Sequence, residues 1–280
     1  MNTRKSYPVV LSIAGSDSSG GAGIQADLKA FSALGVYGAT AITAITAQNT
    51  LGVHSQFALD PQLVYDQIIA VVDDLHPRFV KIGMLANSEI VHAVAKALGN
   101  YDLTVILDPV IVSTSGHRLL SIEAQQTIKE LLIPISTLVT PNIPEMKALT
   151  NMPLCSLNEK ERAARHILDL GAKAVLIKGG HEQGDTKSDI LFSASGNDIQ
   201  TSTFTFETIP TNNTHGTGCT LSSAITAYMA RGLDLVDAIR EAKHYVSEAI
   251  RAGANIDIGH GFGPVNHGFN PLQMLVYENK

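Results

Sequence analysis

Short apolar runs rich in Val and Ile alternate with longer helical patterns along most of the chain. Each run is apolar almost without interruption, as is typical of a strand that is covered on both faces. Strands that alternate with helices form βαβ units and a mainly parallel sheet. The pattern therefore predicts an α/β fold with helices on both faces of one central sheet. The candidate strands are residues 8–15, 39–47, 79–85, 104–109, 137–142 and 174–180.

The pattern changes after Gly180. Two strand-like segments follow, 188–194 and 200–208, and the turn sequence SGND between them predicts an antiparallel hairpin at one edge of the sheet. We find no internal repeat and no linker, so the prediction is a single domain over residues 1–280. The candidate helices are residues 24–35, 61–74, 88–98, 121–132, 157–170, 216–231 and 235–252.

Composition excludes several classes of function. The net charge is −6, and no Lys/Arg stripe of the kind that binds nucleic acid is present. Residues 30–59 carry no Asp, Glu, Lys or Arg, but their apolar runs are brief, which favours buried strand over a membrane span. Two cysteines far apart in sequence make a disulfide framework implausible, so we expect a cytoplasmic protein.

The segment THGTGC, which runs from Thr214 to Cys219, is the strongest local signal. Gly216, Thr217 and Gly218 open a helical pattern, and backbone N–H groups at such a helix start form an anion hole that the helix dipole reinforces. The alternative is a structural glycine turn. At Cys219 the same helix start is expected to lower the thiol pKa from about 8.5 to roughly 3.5–7.5. Such a thiol could accept a proton, although a free cysteine is more often a small buried hydrophobe.

The first loop, residues 14–27, contains the dinucleotide-binding pattern G-x-G-x-x-A. A nicotinamide-cofactor site would also need an acidic residue near the end of the second strand, and none occurs between Asp27 and Asp60. No G-x-x-x-x-G-K-[ST] motif is present either. Neither a dinucleotide-dependent enzyme nor a P-loop enzyme is therefore favoured.

Polar or small residues cluster at the ends of the predicted strands, where open parallel sheets bind ligands. The amide of Gln48 suits a heterocycle that carries an amino group beside a ring nitrogen. Asp108, Asn142 and Glu145 are hard oxygen ligands suited to Mg²⁺, although Glu145 could equally complement a helix dipole. Lys178 ends a strand near the expected phosphate region, where it is either a phosphate ligand or a solvated cation.

Taken in order along the chain, these segments resemble the hydroxymethylpyrimidine/phosphomethylpyrimidine kinases of thiamine biosynthesis, a branch of the ribokinase-like superfamily. The resemblance covers almost the whole chain. The segments that carry it are AGSDSSGGAGIQADLKAFSALG, TAQNTLGV, KIGML, LDPV, TPNIPE, IKGGH, NNTHGTGCTLSSA and GHGFGPVNH.

The resemblance implies ATP-dependent phosphorylation of a hydroxymethyl aminopyrimidine and then of its monophosphate, with Mg²⁺ and with a homodimer as an expectation. It also implies a role for each candidate residue: Gln48, Gly15, Asp27 and Met84 around the pyrimidine; Cys219 as catalytic base, with the amides of Gly216, Thr217 and Gly218 on the phosphoryl group; Lys178 and Thr214 on the nucleotide; and Asn142 and Glu145, together with Asp108, on the metal. A pyridoxal kinase of the same superfamily and a nonenzymatic sensor remain the alternatives.

Overall fold

The computed structural model describes residues 5–112, 119–180, 184–196 and 198–278. Within these ranges, nine strands form one sheet in the order β10-β9-β8-β7-β6-β5-β2-β3-β4. The strands of this sheet are β2 (Val9–Asp17), β3 (Tyr37–Asn49), β4 (Gly52–Ala58), β5 (Phe79–Ile82), β6 (Thr104–Leu107), β7 (Leu138–Val139), β8 (Ala174–Ile177), β9 (Thr186–Ser195) and β10 (Asp198–Glu207). A separate pair consists of β1 (Lys5–Ser6) and β11 (Tyr277–Glu278).

Six strands of this sheet are mutually parallel, so their carboxyl ends meet along one edge; they are β2, β3, β5, β6, β7 and β8. The hairpin of β9 and β10 continues the sheet in antiparallel fashion beyond β8, as the sequence predicted. Gly196 turns this hairpin with φ of +61°, whereas Asn197 of the SGND turn lies outside the described residues. His181 of the IKGGH segment lies outside them as well.

Helices cover both faces of the sheet. They are α1 (Gly23–Ala33), α2 (Pro61–Leu75), α3 (Ser88–Leu98), α4 (Ile122–Leu131), α5 (Ile143–Thr150), α6 (Leu157–Asp169), α7 (Thr217–Ala230) and α8 (Leu235–Gly253), with a short 3₁₀ helix over Ile133–Ile135. One core packs α2 to α6 against the sheet, and the other packs α1, α7 and α8 against the opposite face.

Successive residues of a central strand enter different cores, which explains the uninterrupted apolar runs. Val105 and Leu107 of β6 belong to one core, whereas Ile106 between them belongs to the other. All three side chains are almost fully buried. At roughly 25 cal/mol for each Å² of apolar surface removed from water, these strands contribute strongly to stability on both faces.

Four elements of the described structure were not predicted from the sequence. The strand β4 pairs antiparallel with β3 at the second sheet edge, although most of its residues are exposed and three of them are polar. The helix α5 is only eight residues long, and the strands β1 and β11 have two residues each. No helix in the described part of the chain is long and apolar enough to cross a membrane.

Candidate active site

The carboxyl ends of the parallel strands open into one cleft of about 500 Å³, a volume typical of small-molecule sites. The start of α7, the β9–β10 hairpin and α8 complete its walls. All the residues that the sequence analysis assigned to the site line this cleft, except Asp27. They are Gly15, Gln48, Met84, Asp108, Asn142, Glu145, Lys178, Thr214, Gly216, Thr217, Gly218 and Cys219.

Gly216 begins α7 in a conformation that requires glycine. Its φ is +79°, and a Cβ at this position would overlap the carbonyl oxygen of Gly21 in the first loop. The loop before α1 and the loop before α7 therefore approach each other through their backbones. Because Gly216 has no side chain, the first N–H groups of α7 receive no side-chain cap.

Among the α-helices of the described ranges, α1 and α7 are the two that begin without a side-chain cap, and both start in the cleft. Each of the other α-helices is capped by an Asp, Asn or Ser side chain, namely Asp60, Asn87, Ser121, Asn142, Ser156 and Asp234. Uncapped N–H groups and the positive end of a helix dipole favour an anionic group. The cleft is thus suited to phosphate oxygens at the start of α7.

Cys219 lies in the first turn of α7, but its ionisation differs from the expectation. Burial raises the pKa of the thiol to about 11, and the carboxylates of Asp108 and Asp27 raise it further. The ammonium of Lys81 and an N–H from Gly23 favour the thiolate, without outweighing burial. The expected lowering by the helix start was therefore wrong for this chain, since the thiol is protonated at neutral pH.

A partly buried lysine joins two carboxylates beside the start of α7. Lys178 Nζ lies 2.7 Å from Asp108 Oδ1 and 3.9 Å from Glu145 Oε2. Burial opposes the charge of Lys178, but the two carboxylates outweigh it and raise its pKa. A Cβ on Gly218 would lie 3.4 Å from the ammonium, which places Lys178 beside the expected phosphate position.

Asn142 and Glu145 form a capping box at the start of α5. Glu145 therefore has the structural role at a helix start that was given as its alternative to metal binding. Asn142 Oδ1 accepts from the backbone N–H of Glu145, and Glu145 Oε2 accepts from the backbone N–H of Asn142, each at 2.8 Å. Burial nevertheless raises the pKa of Glu145 to about 7, despite the attraction of Lys178. Burial and the nearby carboxylate of Asp108 therefore outweigh the ammonium of Lys178 at this carboxyl group.

Mg²⁺ binds through one or two carboxylates, waters and phosphate oxygens, rather than through a cage of protein ligands. Asp108 and Glu145 both line the cleft and supply such carboxylates. No cluster of three or more His, Cys, Asp or Glu side chains that could hold a metal occurs in the described ranges. The residues present thus fit Mg²⁺ that is bound together with a nucleotide.

Asp27 lies beneath the cleft and not in its lining. Its side chain is fully buried, and Lys81 Nζ lies 3.0 Å from each carboxylate oxygen. The hydroxyls of Ser12 and Ser223 donate to the same carboxylate at 2.6 Å. These four contacts explain why Asp27 does not reach the cleft, contrary to its expected place around the pyrimidine. The buried pair still influences Cys219, because the ammonium of Lys81 lowers the pKa of the thiol and the carboxylate of Asp27 raises it.

Gln48 lies at the opposite end of the cleft from Lys178, near the end of β3. The pairing of β3 with β4 shifts register between Ala47 and Gln48, and such a bulge redirects a side chain. Gly15 faces Met84, since a Cβ on Gly15 would lie 2.8 Å from the methionine sulfur. Gly15 and the apolar side chain of Met84 therefore pack closely together in the lining of the cleft.

Sequence analysis missed two residues that connect the ends of the cleft. His215 Nε2 lies 2.8 Å from Asp17 Oδ2 and 3.3 Å from Gln48 Nε2. Asp17 ends β2, and His215 lies within the THGTGC segment. The segment itself was recognised, but nothing local indicates that its histidine contacts a carboxylate near the start of the chain.

Lys243, also missed, lies where α8 faces the hairpin. Its Nζ is 2.7 Å from Asp189 Oδ2 and 3.4 Å from the ring centre of Phe206. Burial lowers the pKa of Lys243, against the attraction of Asp189. All three residues line the cleft. They extend it beyond the phosphate region toward an apolar wall formed by the hairpin and α8.

Comparisons with known proteins agree with this geometry. The model of the phosphomethylpyrimidine kinase family matches residues 17–266. The hydroxymethylpyrimidine/phosphomethylpyrimidine kinase of Bacillus subtilis is 46% identical over 259 residues, which cover 92% of this chain and 93% of the relative. The crystal structure of phosphomethylpyrimidine kinase from Clostridium difficile 630 is 44% identical, with a TM-score of 0.75 over 86% of this chain and 99% of that one.

An ADP complex of Bacillus subtilis pyridoxal kinase is 37% identical, with a TM-score of 0.84 over 94% of this chain and 98% of that one. The two structures share a fold with this chain, so the prediction of a ribokinase-like fold is confirmed. The family match and the curated relative confirm the resemblance that the sequence motifs indicated. The chain belongs to the phosphomethylpyrimidine kinase family.

Proposed function

We propose that this chain transfers the γ-phosphoryl group of ATP to the hydroxymethyl group of 4-amino-5-hydroxymethyl-2-methylpyrimidine, and then phosphorylates the monophosphate to the diphosphate, in thiamine diphosphate biosynthesis. One observation carries the proposal. A single cleft is lined both by the amide of Gln48 and by the uncapped start of α7, with Cys219 in that first turn. A hydroxyl acceptor and a phosphate donor can therefore meet beside the thiol.

The backbone N–H groups of Gly216, Thr217, Gly218 and Cys219 bind and orient the transferring phosphoryl oxygens. Phosphoryl transfer depends on positioning and on charge stabilisation more than on covalent chemistry. One donor aimed at developing charge contributes a factor of roughly 10²–10³ in rate. Lys178 supplies a fixed positive charge beside these amides, and Thr214 lies at the same wall of the cleft.

Cys219 Sγ takes the proton of the substrate hydroxyl. Its pKa of about 11 leaves the thiol protonated at neutral pH, so only a small thiolate fraction is active. Lys81 and the N–H of Gly23 stabilise that fraction. In a loose transition state the hydroxyl loses its proton late, so a weakly populated base is sufficient.

Asp108 and Glu145 would hold Mg²⁺ through their carboxylates. When bound, the ion supplies charge neutralisation between the nucleotide phosphates. Asn142 contributes by holding Glu145, because the two residues form the capping box of α5. Binding of a cation beside Glu145 favours the ionised carboxylate over the protonated form that burial favours.

The direct test is an incubation of the purified protein with the aminopyrimidine and Mg-ATP, followed by product analysis by mass. We expect monophosphate first and diphosphate later. A Gln48→Ala variant is expected to raise KM for the pyrimidine, with KM for ATP unchanged. Absence of both products from the native protein refutes the proposal.

Pyridoxal is the competing acceptor, because the pyridoxal kinase structure has a high TM-score of 0.84 to this chain. The higher identity of the pyrimidine kinases, 44–46% against 37%, favours the pyrimidine. Equal concentrations of both acceptors in one reaction distinguish the two activities. A larger kcat/KM for pyridoxal would overturn the choice of substrate.

We also propose that the chain is one domain, is cytoplasmic and forms a homodimer. One sheet shared by both cores supports the single domain. Both cysteines are free, which suits a reducing compartment. Ile45, Leu51 and Phe57 leave an exposed apolar face near the β3–β4 edge, which a second copy could cover. The mass in solution tests this, and a Phe57→Glu variant is expected to be monomeric.

A further inference from the structure

Gln48 contacts two polar side chains that determine which atom of its amide faces which neighbour. Thr46 Oγ1 lies 3.2 Å from Gln48 Oε1, and His215 Nε2 lies 3.3 Å from Gln48 Nε2. The oxygen and nitrogen of a side-chain amide have nearly the same shape, so their positions are decided by the surrounding donors and acceptors. Both neighbours can be assigned from their other contacts.

His215 must present an N–H at Nε2. This nitrogen lies 2.8 Å from Asp17 Oδ2, which also accepts from the backbone N–H groups of Gly21 and Ala22. Burial raises the pKa of Asp17, but hydrogen bonds from His215 and Ser19 outweigh it and hold the pKa at about 2. An ionised carboxylate only accepts hydrogen bonds, so the nitrogen that faces it is protonated.

Thr46 must accept from the amide. Its hydroxyl has one proton, and the backbone carbonyl of Ser16 accepts that proton at 2.9 Å. A hydroxyl that has donated its proton offers only lone pairs to other neighbours. The group facing Thr46 is therefore the NH₂ of Gln48, and the group facing His215 is its carbonyl oxygen.

A turn of the amide by 180° about its last bond satisfies both neighbours. It replaces a lone-pair contact at Thr46 with a hydrogen bond from the NH₂, and it replaces an N–H to N–H contact at His215 with the weaker branch of a three-centre bond, because the single Nε2 proton of His215 is donated mainly to Asp17. The opposite orientation loses the hydrogen bond at Thr46 and sets two N–H groups against each other at His215, so the amide is held in one state. Each atom of the amide then keeps one further site, an acceptor on the oxygen and a donor on the nitrogen.

We propose that His215 and Thr46 are positioning residues that set substrate specificity, by fixing the amide polarity of Gln48 so that it pairs with an aminopyrimidine and not with its oxo counterpart. An exocyclic amino group donates to the carbonyl oxygen, and the adjacent ring nitrogen accepts from the NH₂. An oxo group beside a ring N–H presents the reverse pattern. The inference rests on the proposed role of Gln48 in binding the pyrimidine ring.

The test compares kcat/KM for 4-amino-5-hydroxymethyl-2-methylpyrimidine with kcat/KM for the 4-oxo compound. Since a site built to hydrogen-bond its substrate rejects a mismatched analogue by about 10⁴, we expect native discrimination near that value. Thr46→Val keeps the shape of the side chain and removes its acceptor. His215→Phe removes the donor, whereas His215→Gln restores an N–H that Asp17 orients.

We expect Thr46→Val and His215→Phe each to lower the discrimination ratio about tenfold or more, because either change frees the amide to turn. His215→Gln is expected to restore most of it. A merely structural role lowers kcat/KM for both compounds equally and leaves the ratio unchanged, which would overturn the inference. If the native protein phosphorylates neither compound, the proposed function itself fails.

A second measurement does not depend on turnover or on folding of the variants. The ¹⁵N chemical shifts of the His215 ring in the native protein report which nitrogen carries the proton. We expect a protonated Nε2 at neutral pH. A neutral ring with a bare Nε2 would refute the assignment, since that nitrogen could then accept from the amide of Gln48.

Discussion

The buried pair of Lys81 and Asp27 gives a stability prediction whose size follows from its contacts. Both side chains are fully buried, and the ammonium contacts both carboxylate oxygens at 3.0 Å. Removing one partner leaves the other charge buried without compensation, which costs about 3–5 kcal/mol. A domain is stable by only about 5–15 kcal/mol, so either single substitution removes a large share.

The double variant Lys81→Met with Asp27→Leu removes both charges together. The double variant leaves the hydroxyls of Ser12 and Ser223 without their acceptor, which costs about 1–3 kcal/mol of stability for each buried unsatisfied group. Replacement of a buried ion pair by apolar residues often stabilises a protein by about 1–4 kcal/mol, which offsets this loss. We therefore expect the double variant to be more stable than either single one. The coupling free energy between the two positions should be at least about 3 kcal/mol.

Urea unfolding, followed by circular dichroism for the native protein, the two single variants and the double variant, measures this coupling. The exposed pair of Arg165 and Glu161 on α6 is the matched control, where each substitution should change stability by less than about 1 kcal/mol. The reasoning is refuted if the single variants at Lys81 and Asp27 lose no more stability than the control variants. It is also refuted if the stability losses of the two single variants simply add up to that of the double variant.

Two further perturbations test the site, and a third tests the pH dependence of stability. Gly216→Ala should lower kcat about 100-fold or more, because the added Cβ meets the Gly21 carbonyl and displaces the amides proposed to face the phosphoryl group. Gly232→Ala is the control, since φ is +100° there as well but the surrounding space is open. An equal loss of kcat in both variants would contradict the reasoning. If the Cys219 thiolate is the base, kcat/KM rises with pH through the neutral range, whereas Cys219→Asp gives a flat profile there; a flat native profile rejects the thiolate. Burial lowers the pKa of His267 from 6.5 to about 4, so the unfolded chain binds the proton first as the pH falls. The free energy of unfolding should therefore decrease between pH 6.5 and 4, by about 3 kcal/mol in all. Urea unfolding at several pH values should show no such decrease for His267→Gln, and an unchanged pH dependence would exclude His267 as its source.

The parallel core of the fold was predictable because its strands are buried on both faces and are therefore apolar throughout. The strand β4 was not predictable on that basis, because its exposed segment His54, Ser55 and Gln56 carries no apolar pattern. Its pairing with β3 is an edge contact, and its backbone hydrogen bonds do not depend on side-chain type. The short helix α5 was missed because eight residues hold too few turns to show a period.

The site was predictable where one short segment carries the chemistry, as in Gly216 to Cys219. It was not predictable where function depends on burial or on distant contacts. The thiol pKa of Cys219 is decided by burial, which no local pattern reports. Asp27 is the fifth residue of α1, and only the fold shows that Lys81 holds it below the cleft.

The contact of His215 with Asp17 spans 198 sequence positions, and that of Ser223 with Asp27 spans 196. Both contacts therefore join the first part of the chain to the start of α7. During synthesis, the six parallel strands leave the ribosome before the start of α7 does, and domains acquire structure as their segments emerge. A chain that ends before Thr217 contains every strand of the nine-stranded sheet but lacks the start of α7. The cleft is complete only when α7 and the residues of α8 that line it have also been synthesised.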